Sequence, residues 1–138
     1  MWSMIITLCG SMRFKQQMDE IVAALRAGGH QVHTPIAIEG VDYLNKTQRA
    51  QATLKREHDL IRKHFEKITQ SDAILVLNYD THETKNYIGG HTLLEMGVAF
   101  YLGKRIYLLN PIPEMSYTSE IAAMEPTILN GSLNKLSG

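Results

Sequence analysis

Only one cysteine occurs in the 138 residues, so no disulfide can form within the chain. A lone thiol fits a reducing compartment, and a cytoplasmic location is expected. Neither sign of charge prevails, since Lys plus Arg and Asp plus Glu each number 14. Proteins that coat nucleic acid or an anionic membrane usually carry a basic excess, so neither partner is expected. No apolar run approaches the roughly 20 residues that a helix needs to cross a bilayer. The opening MWSMIITLCG is apolar but short and lacks a basic leader; it reads as a first strand rather than a signal peptide. Repeats and low-complexity tracts are absent too. What is left is a chain of single-domain length over residues 1–138, long enough to bury a core.

The apolar residues it does contain fall into an alternating order of elements. MIITLC, from Met4 to Cys9, is a continuous apolar run stopped by Gly10, the pattern of a strand buried on both faces. Cys9 belongs to that run and reads as a small buried hydrophobe, not a nucleophile. From Arg13 to Arg26, Phe14, Met18, Ile21, Val22 and Leu25 recur at helical spacing, and Gly28-Gly29 ends the helix. HQVHTP (30–35) is a second strand and residues 36 to 46 a loop. One long charged helix is predicted from Thr47 to Thr69, with Leu54, Ile61, Phe65 and Ile68 as its stripe. DAILVLN (72–78) and RIYLLN (105–110) are further strands, and PTIL (126–129) a brief fifth. A short helix is expected around Ser119 to Met124. Strands alternating with helices imply an α/β fold, with a parallel sheet of about five strands flanked by helices on both faces. Ligands bind such sheets beyond the carboxyl ends of the strands, where the connectivity reverses. The loops at those ends begin at Gly10, Pro35, Asn78 and Asn110, and Asn78 and Asn110 are counted among the ligand-binding candidates.

One carboxylate stands out. Between Ile88 and Lys104 the sole acid is Glu95, amid Leu93, Leu94, Met96, Val98, Ala99, Phe100, Tyr101 and Leu102. Apolar side chains on nearly every side predict a helix covered all round, with Glu95 covered too. A buried carboxylate is costly unless paired, hydrogen-bonded or protonated, so it calls for a reason. A narrow solvent-facing strip or an Arg partner is one; a functional carboxylate in a cleft is the other. Gly89 and Gly90 precede it by one turn and can offer backbone amides to an anion or hydroxyl. Glu95 would then face an electrophilic carbon beside the bound group, as nucleophile or base. Tyr87 and His91 could position or protonate a leaving group, or simply be exposed loop residues. In the first turn, Gly10 permits close approach of a ligand, while Ser11 and Arg13 either bind phosphate or serve as an N-cap and a solvated cation. Neither a dinucleotide fingerprint nor a Walker loop is present. His30, His33, His58, His64, His82 and His91 lack metal-ligand spacing, and neither a metal nor a cofactor is expected.

With LCGSMR, SDAILVLN and LLEMGVAFYLGKRIYLL on the page, the chain resembles the nucleoside 2-deoxyribosyltransferase superfamily, including its 2′-deoxynucleoside 5′-phosphate N-hydrolase branch. The likeness runs from Ile5 to about Pro113. It implies a flavodoxin-like (Rossmann-like) sheet and a catalytic Glu in an E-[LM]-G motif, matched by Glu95-Met96-Gly97. Glu95 would attack the anomeric carbon of a nucleoside or its 5′-monophosphate, giving a glycosyl-enzyme that passes to water or another base. Gly10 and Ser11 would line the sugar or phosphate pocket, and Arg13 matches the phosphate-preferring branch. An Asp that often orients substrate in the family is replaced by His64, and Phe14 and Lys15 stand where that branch has glycines. Relatives usually form homodimers or larger homo-oligomers, and the YTSEIAAMEP segment could supply contacts. Two other readings stand beside this one. A phosphoribohydrolase of the lysine-decarboxylase-like family also sets glycines before a Glu, and a nucleotide-binding or sensing module could keep the pocket without the reaction.

Overall fold

A computed structural model describes residues 3–35, 47–57 and 59–136. Five parallel strands form one sheet in the order β2-β1-β3-β4-β5: β1 (Ile5–Cys9), β2 (Gln31–His33), β3 (Ala73–Val76), β4 (Arg105–Leu108) and β5 (Thr127–Ile128). Helices α1 (Lys15–Ala27), α2 (Gln48–Glu57), α3 (Leu60–Thr69), α4 (Gly90–Tyr101) and α5 (Thr118–Ala123) connect them. The expected α/β architecture is the one observed. Among the described residues no helix is long and apolar enough to cross a membrane.

Side chains alternate across the strands and split the core into two layers. Ile6, Leu8, Ala73, Leu75 and Tyr107 pack with Met18, Val22 and Leu25 of α1. Cys9, Ile74, Val76, Ile106 and Leu108 face the opposite way, onto Ile68 of α3, Met96 and Ala99 of α4, and Ile121 of α5. Cys9 pairs in register with Val76, and Val76 with Leu108. The strand ends therefore lie level, and the chain leaves β1 toward β2 on one side and reaches β3 on the other. That reversal, between β1 and β3, is the crevice where a sheet of this kind binds ligands.

Two expectations need correction. The single helix over 47–69 is two helices, broken where Asp59 takes a left-handed conformation at φ 51°. No glycine or proline signals the break. The second concerns α4, which is not covered all round: Leu94, Phe100, Tyr101 and Leu102 are exposed, Tyr101 at 88%. The stripe of Thr92, Glu95, Met96 and Ala99, spaced at helical intervals, is buried, with Leu93 and Val98 packing partly beside it. Glu95 is buried because it lies in that stripe. The loop at 36–46, with most of the Pro35 to Tyr43 stretch, and His58 lie outside the described residues.

Candidate active site

Three elements converge on Glu95. The α4 stripe points its carboxylate toward the end of β1, where it is 4% exposed. From α3, His64 brings Nε2 to 3.2 Å from Glu95 Oε2 and to 3.0 Å from the Leu8 carbonyl oxygen. One turn earlier on α4, His91 places its own Nε2 3.3 Å from the same carboxylate oxygen. His64 is buried, and its Nδ1 has no hydrogen-bond partner among the described residues.

These contacts assign the proton on His64. The Leu8 carbonyl can only accept, so Nε2 carries the hydrogen and donates to it, with Glu95 Oε2 close by. A second proton on Nδ1 would be a buried donor without an acceptor. Burial accordingly holds the imidazole below its usual range; the Glu95 charge opposes this, while Lys67 and His91 push the same way as burial. His64 is a neutral donor with a bare, buried Nδ1. Cys9 Sγ lies 3.8 Å from Nε2, and burial followed by the Glu95 charge pushes its thiol well above the ordinary value.

Cys9, His64 and Glu95 could in principle hold a metal, since their donor atoms all lie within 4.8 Å of one another. Capture would require Cys9 to ionise against its surroundings and Nε2 to give up the Leu8 carbonyl. The sequence spacing had suggested no such group, because its members come from three separate elements.

A cavity of about 270 Å³ opens above the carboxylate. Gly10, Ser11, Arg13, Tyr87, Gly89, Gly90, His91, His64 and Glu95 all line it. Gly10 sits where β1 passes close to β3: an added Cβ would stand 3.2 Å from the Leu77 carbonyl oxygen. Ser11 caps the short 3-10 turn Met12–Phe14, its hydroxyl oxygen accepting from Arg13 N–H at 3.3 Å. Ser11 is thus an N-cap that also lines the cavity. The Arg13 guanidinium lies 6.0 Å from the Tyr87 ring centroid, and the Tyr87 hydroxyl packs over Gly89, 2.9 Å from where its Cβ would be.

Asn78 and Asn110, also expected to bind ligand, do not line this cavity. Asn78 Nδ2 donates to the Asn110 and Pro111 carbonyls at 2.8 and 3.0 Å, and its Oδ1 accepts from Asn110 N–H at 2.9 Å. Asn110 Nδ2 donates back to Asn78 O at 3.1 Å. The two amides clip the ends of β3 and β4 together. Conversely, Gln48, Gln51, Leu54 and Lys55 of α2 line the cavity, and none of them was among the expected site residues. One signal was available. Leu54 is the sole large apolar residue of QRAQATLKRE, too little to seat a helix on a core.

No protein-family model matches the chain, and no curated protein sequence does either. Solved structures do. A 2-deoxyribosyltransferase from the psychrotolerant bacterium Bacillus psychrosaccharolyticus superposes with a TM-score of 0.51 at 18% identity, over 75% of this chain and 70% of that one. The Clostridium botulinum CMP N-glycosidase BcmB gives a TM-score of 0.51 at 18% identity, over 90% of this chain and 84% of that one. The chain therefore has the α/β fold seen in a 2-deoxyribosyltransferase and in a CMP N-glycosidase.

Proposed function

We propose that this protein belongs to the nucleoside 2-deoxyribosyltransferase superfamily and cleaves or transfers the N-glycosidic bond of a nucleoside or its 5′-monophosphate, with Glu95 as nucleophile. The observation that carries the reading is a buried carboxylate lining a ligand-sized cavity, with the Nε2 atoms of two histidines 3.2 and 3.3 Å from one of its oxygens. That cavity lies at the sheet's switch point, and two structures of like fold are named for glycosidic chemistry.

Glu95 attacks the anomeric carbon as the bond to the base nitrogen breaks, and the base leaves with that electron pair. The transition state has oxocarbenium character, and the sugar becomes esterified to Glu95. His91, partly exposed at the cavity wall, is the group within reach to protonate the departing base. His64 is a positioning residue: its Nε2–H, fixed by the Leu8 carbonyl, holds one carboxylate oxygen. Water or a second base then attacks the same carbon and frees Glu95.

The test is a panel of ribo- and deoxyribonucleosides and their 5′-monophosphates, with and without an acceptor base, given to wild type and to Glu95→Ala. Free and exchanged base is followed by chromatography. Base released by wild type and not by the variant supports the proposal. Saturable binding without turnover would instead make the protein a nucleotide-binding module.

A further inference from the structure

We propose that Lys55, carried into the cavity wall by α2, makes the site selective for a substrate bearing a phosphate monoester over the corresponding neutral nucleoside. This rests on the glycosidic reading of the same cavity, and it names which of the two substrate classes the cavity takes.

Charge is the first ground. Among the described residues lining the cavity, Glu95 is the sole acid, and Arg13 and Lys55 are the two permanent cations. Neither cation takes part in an ion pair among the described residues. The Glu95 charge acts on Lys55 only from beyond ion-pair distance. A neutral nucleoside covering Lys55 would offer its ammonium no counter-charge. Removing a charge from water without a partner is expensive, and an anion on the ligand removes that cost.

Packing is the second ground. Helix α2 has no fully buried side chain described, and its main neighbour is α3. Its inner side, including Leu54 and Lys55, faces the cavity, so whatever fills the cavity completes the packing of α2. Lys55 is already half-buried there. Burial pulls its ammonium below the usual range, and the Glu95 charge only opposes that pull. A dianion supplies what is lacking.

The shape of the wall favours phosphate. A phosphate monoester carries about −1.5 to −2 charge near neutrality and three acceptor oxygens. Arg13, Lys55 and the Ser11 hydroxyl are three donors on the cavity wall, which Glu95 also lines. Sugar bonding to Glu95 and phosphate at these donors are compatible with one bound nucleotide.

The experiment compares kcat/KM for a nucleoside and its 5′-monophosphate in wild type, Lys55→Gln, Lys55→Arg and Arg56→Gln. Arg56 is the next residue on α2 and does not line the cavity. Wild type should prefer the monophosphate, and Lys55→Gln should reduce that preference by about tenfold or more, the size of a lost charged hydrogen bond. Lys55→Arg should keep most of the preference, and Arg56→Gln all of it. Equal loss on both substrates in Lys55→Gln, or an unaltered ratio, overturns the assignment. Should wild type release base from neither substrate, the glycosidic reading fails, and equilibrium binding of the same pair decides Lys55 independently. Tighter monophosphate binding that Lys55→Gln abolishes sustains the assignment; equal binding of nucleoside and monophosphate overturns it.

Discussion

Replacing Glu95 with methionine separates a functional carboxylate from a structural one. The side chain is 5% exposed, so folding removes nearly all of its hydration. One of its oxygens lies 3.2 Å from His64 Nε2 and 3.3 Å from His91 Nε2. Methionine has similar reach and no charge to desolvate. Losing Glu95 leaves neither histidine stranded: His64 Nε2–H still donates to Leu8 O at 3.0 Å, and His91 is 26% exposed and can turn to water. Exchanging a buried charge for a well-packed apolar side chain is often neutral or stabilising by about 1–4 kcal/mol. The lower half of that range applies, because His64 and His91 already stabilise the carboxylate. A gain of 0 to about 2 kcal/mol is expected, and at this chain length each kcal/mol moves Tm by about 3–5 °C. Glu95→Met should therefore melt at or above the wild-type temperature in a calorimetric scan. Base release should fall by about 10⁴-fold or more, the scale on which removing a nucleophile acts. A variant destabilised by about 3–5 kcal/mol would refute the reasoning, since that is the cost of breaking a structural buried pair.

Three further outcomes follow from the geometry. Gly89→Ala would place a Cβ 2.9 Å from the Tyr87 hydroxyl, and the flexible tyrosine should swing aside. KM should rise several-fold while Tm moves by less than about 3 °C, checked by steady-state kinetics beside a thermal melt. Asn78→Ala removes three hydrogen bonds at the β3–β4 clip and should cost about 3 kcal/mol, at about 1 kcal/mol each, read from the urea midpoint. Stability should also depend on pH through His64. Its folded pKa is depressed, so the unfolded chain binds the proton first, and stability falls as pH drops below about 6.5 toward the lower folded value. Above that window the contribution is constant. Urea midpoints across the window should show the loss in wild type and lack this part of it in His64→Phe.

Periodicity and chemistry made much of this molecule legible in one dimension. Continuous apolar runs at Met4–Cys9 and Asp72–Asn78 correspond to β1 and β3, because a strand covered on both faces needs little else. Gly28-Gly29 ends α1, with Gly29 at φ 91°, a conformation most side chains disfavour. Glu95 was conspicuous because a single acid in an apolar run must be accounted for wherever the helix packs. Those features depend on neighbours in the sequence, and the sequence determines them alone.

Other features depend on which elements meet, and only the tertiary structure decides them. His64 reaches Glu95 because α3 and α4 lie side by side on one face of the sheet, 31 positions apart in the chain. The split of residues 47–69 turns on one left-handed residue, Asp59, a conformation that local composition does not demand. Asn78 and Asn110 read as ligand donors by position, yet parallel pairing of β3 and β4 sets them against each other. Lys55 lines the cavity as part of a helix, α2, that is separate from α3. A sequence records which side chains could do chemistry; which of them share a dielectric, a hydrogen bond or a ligand is settled by packing at a distance.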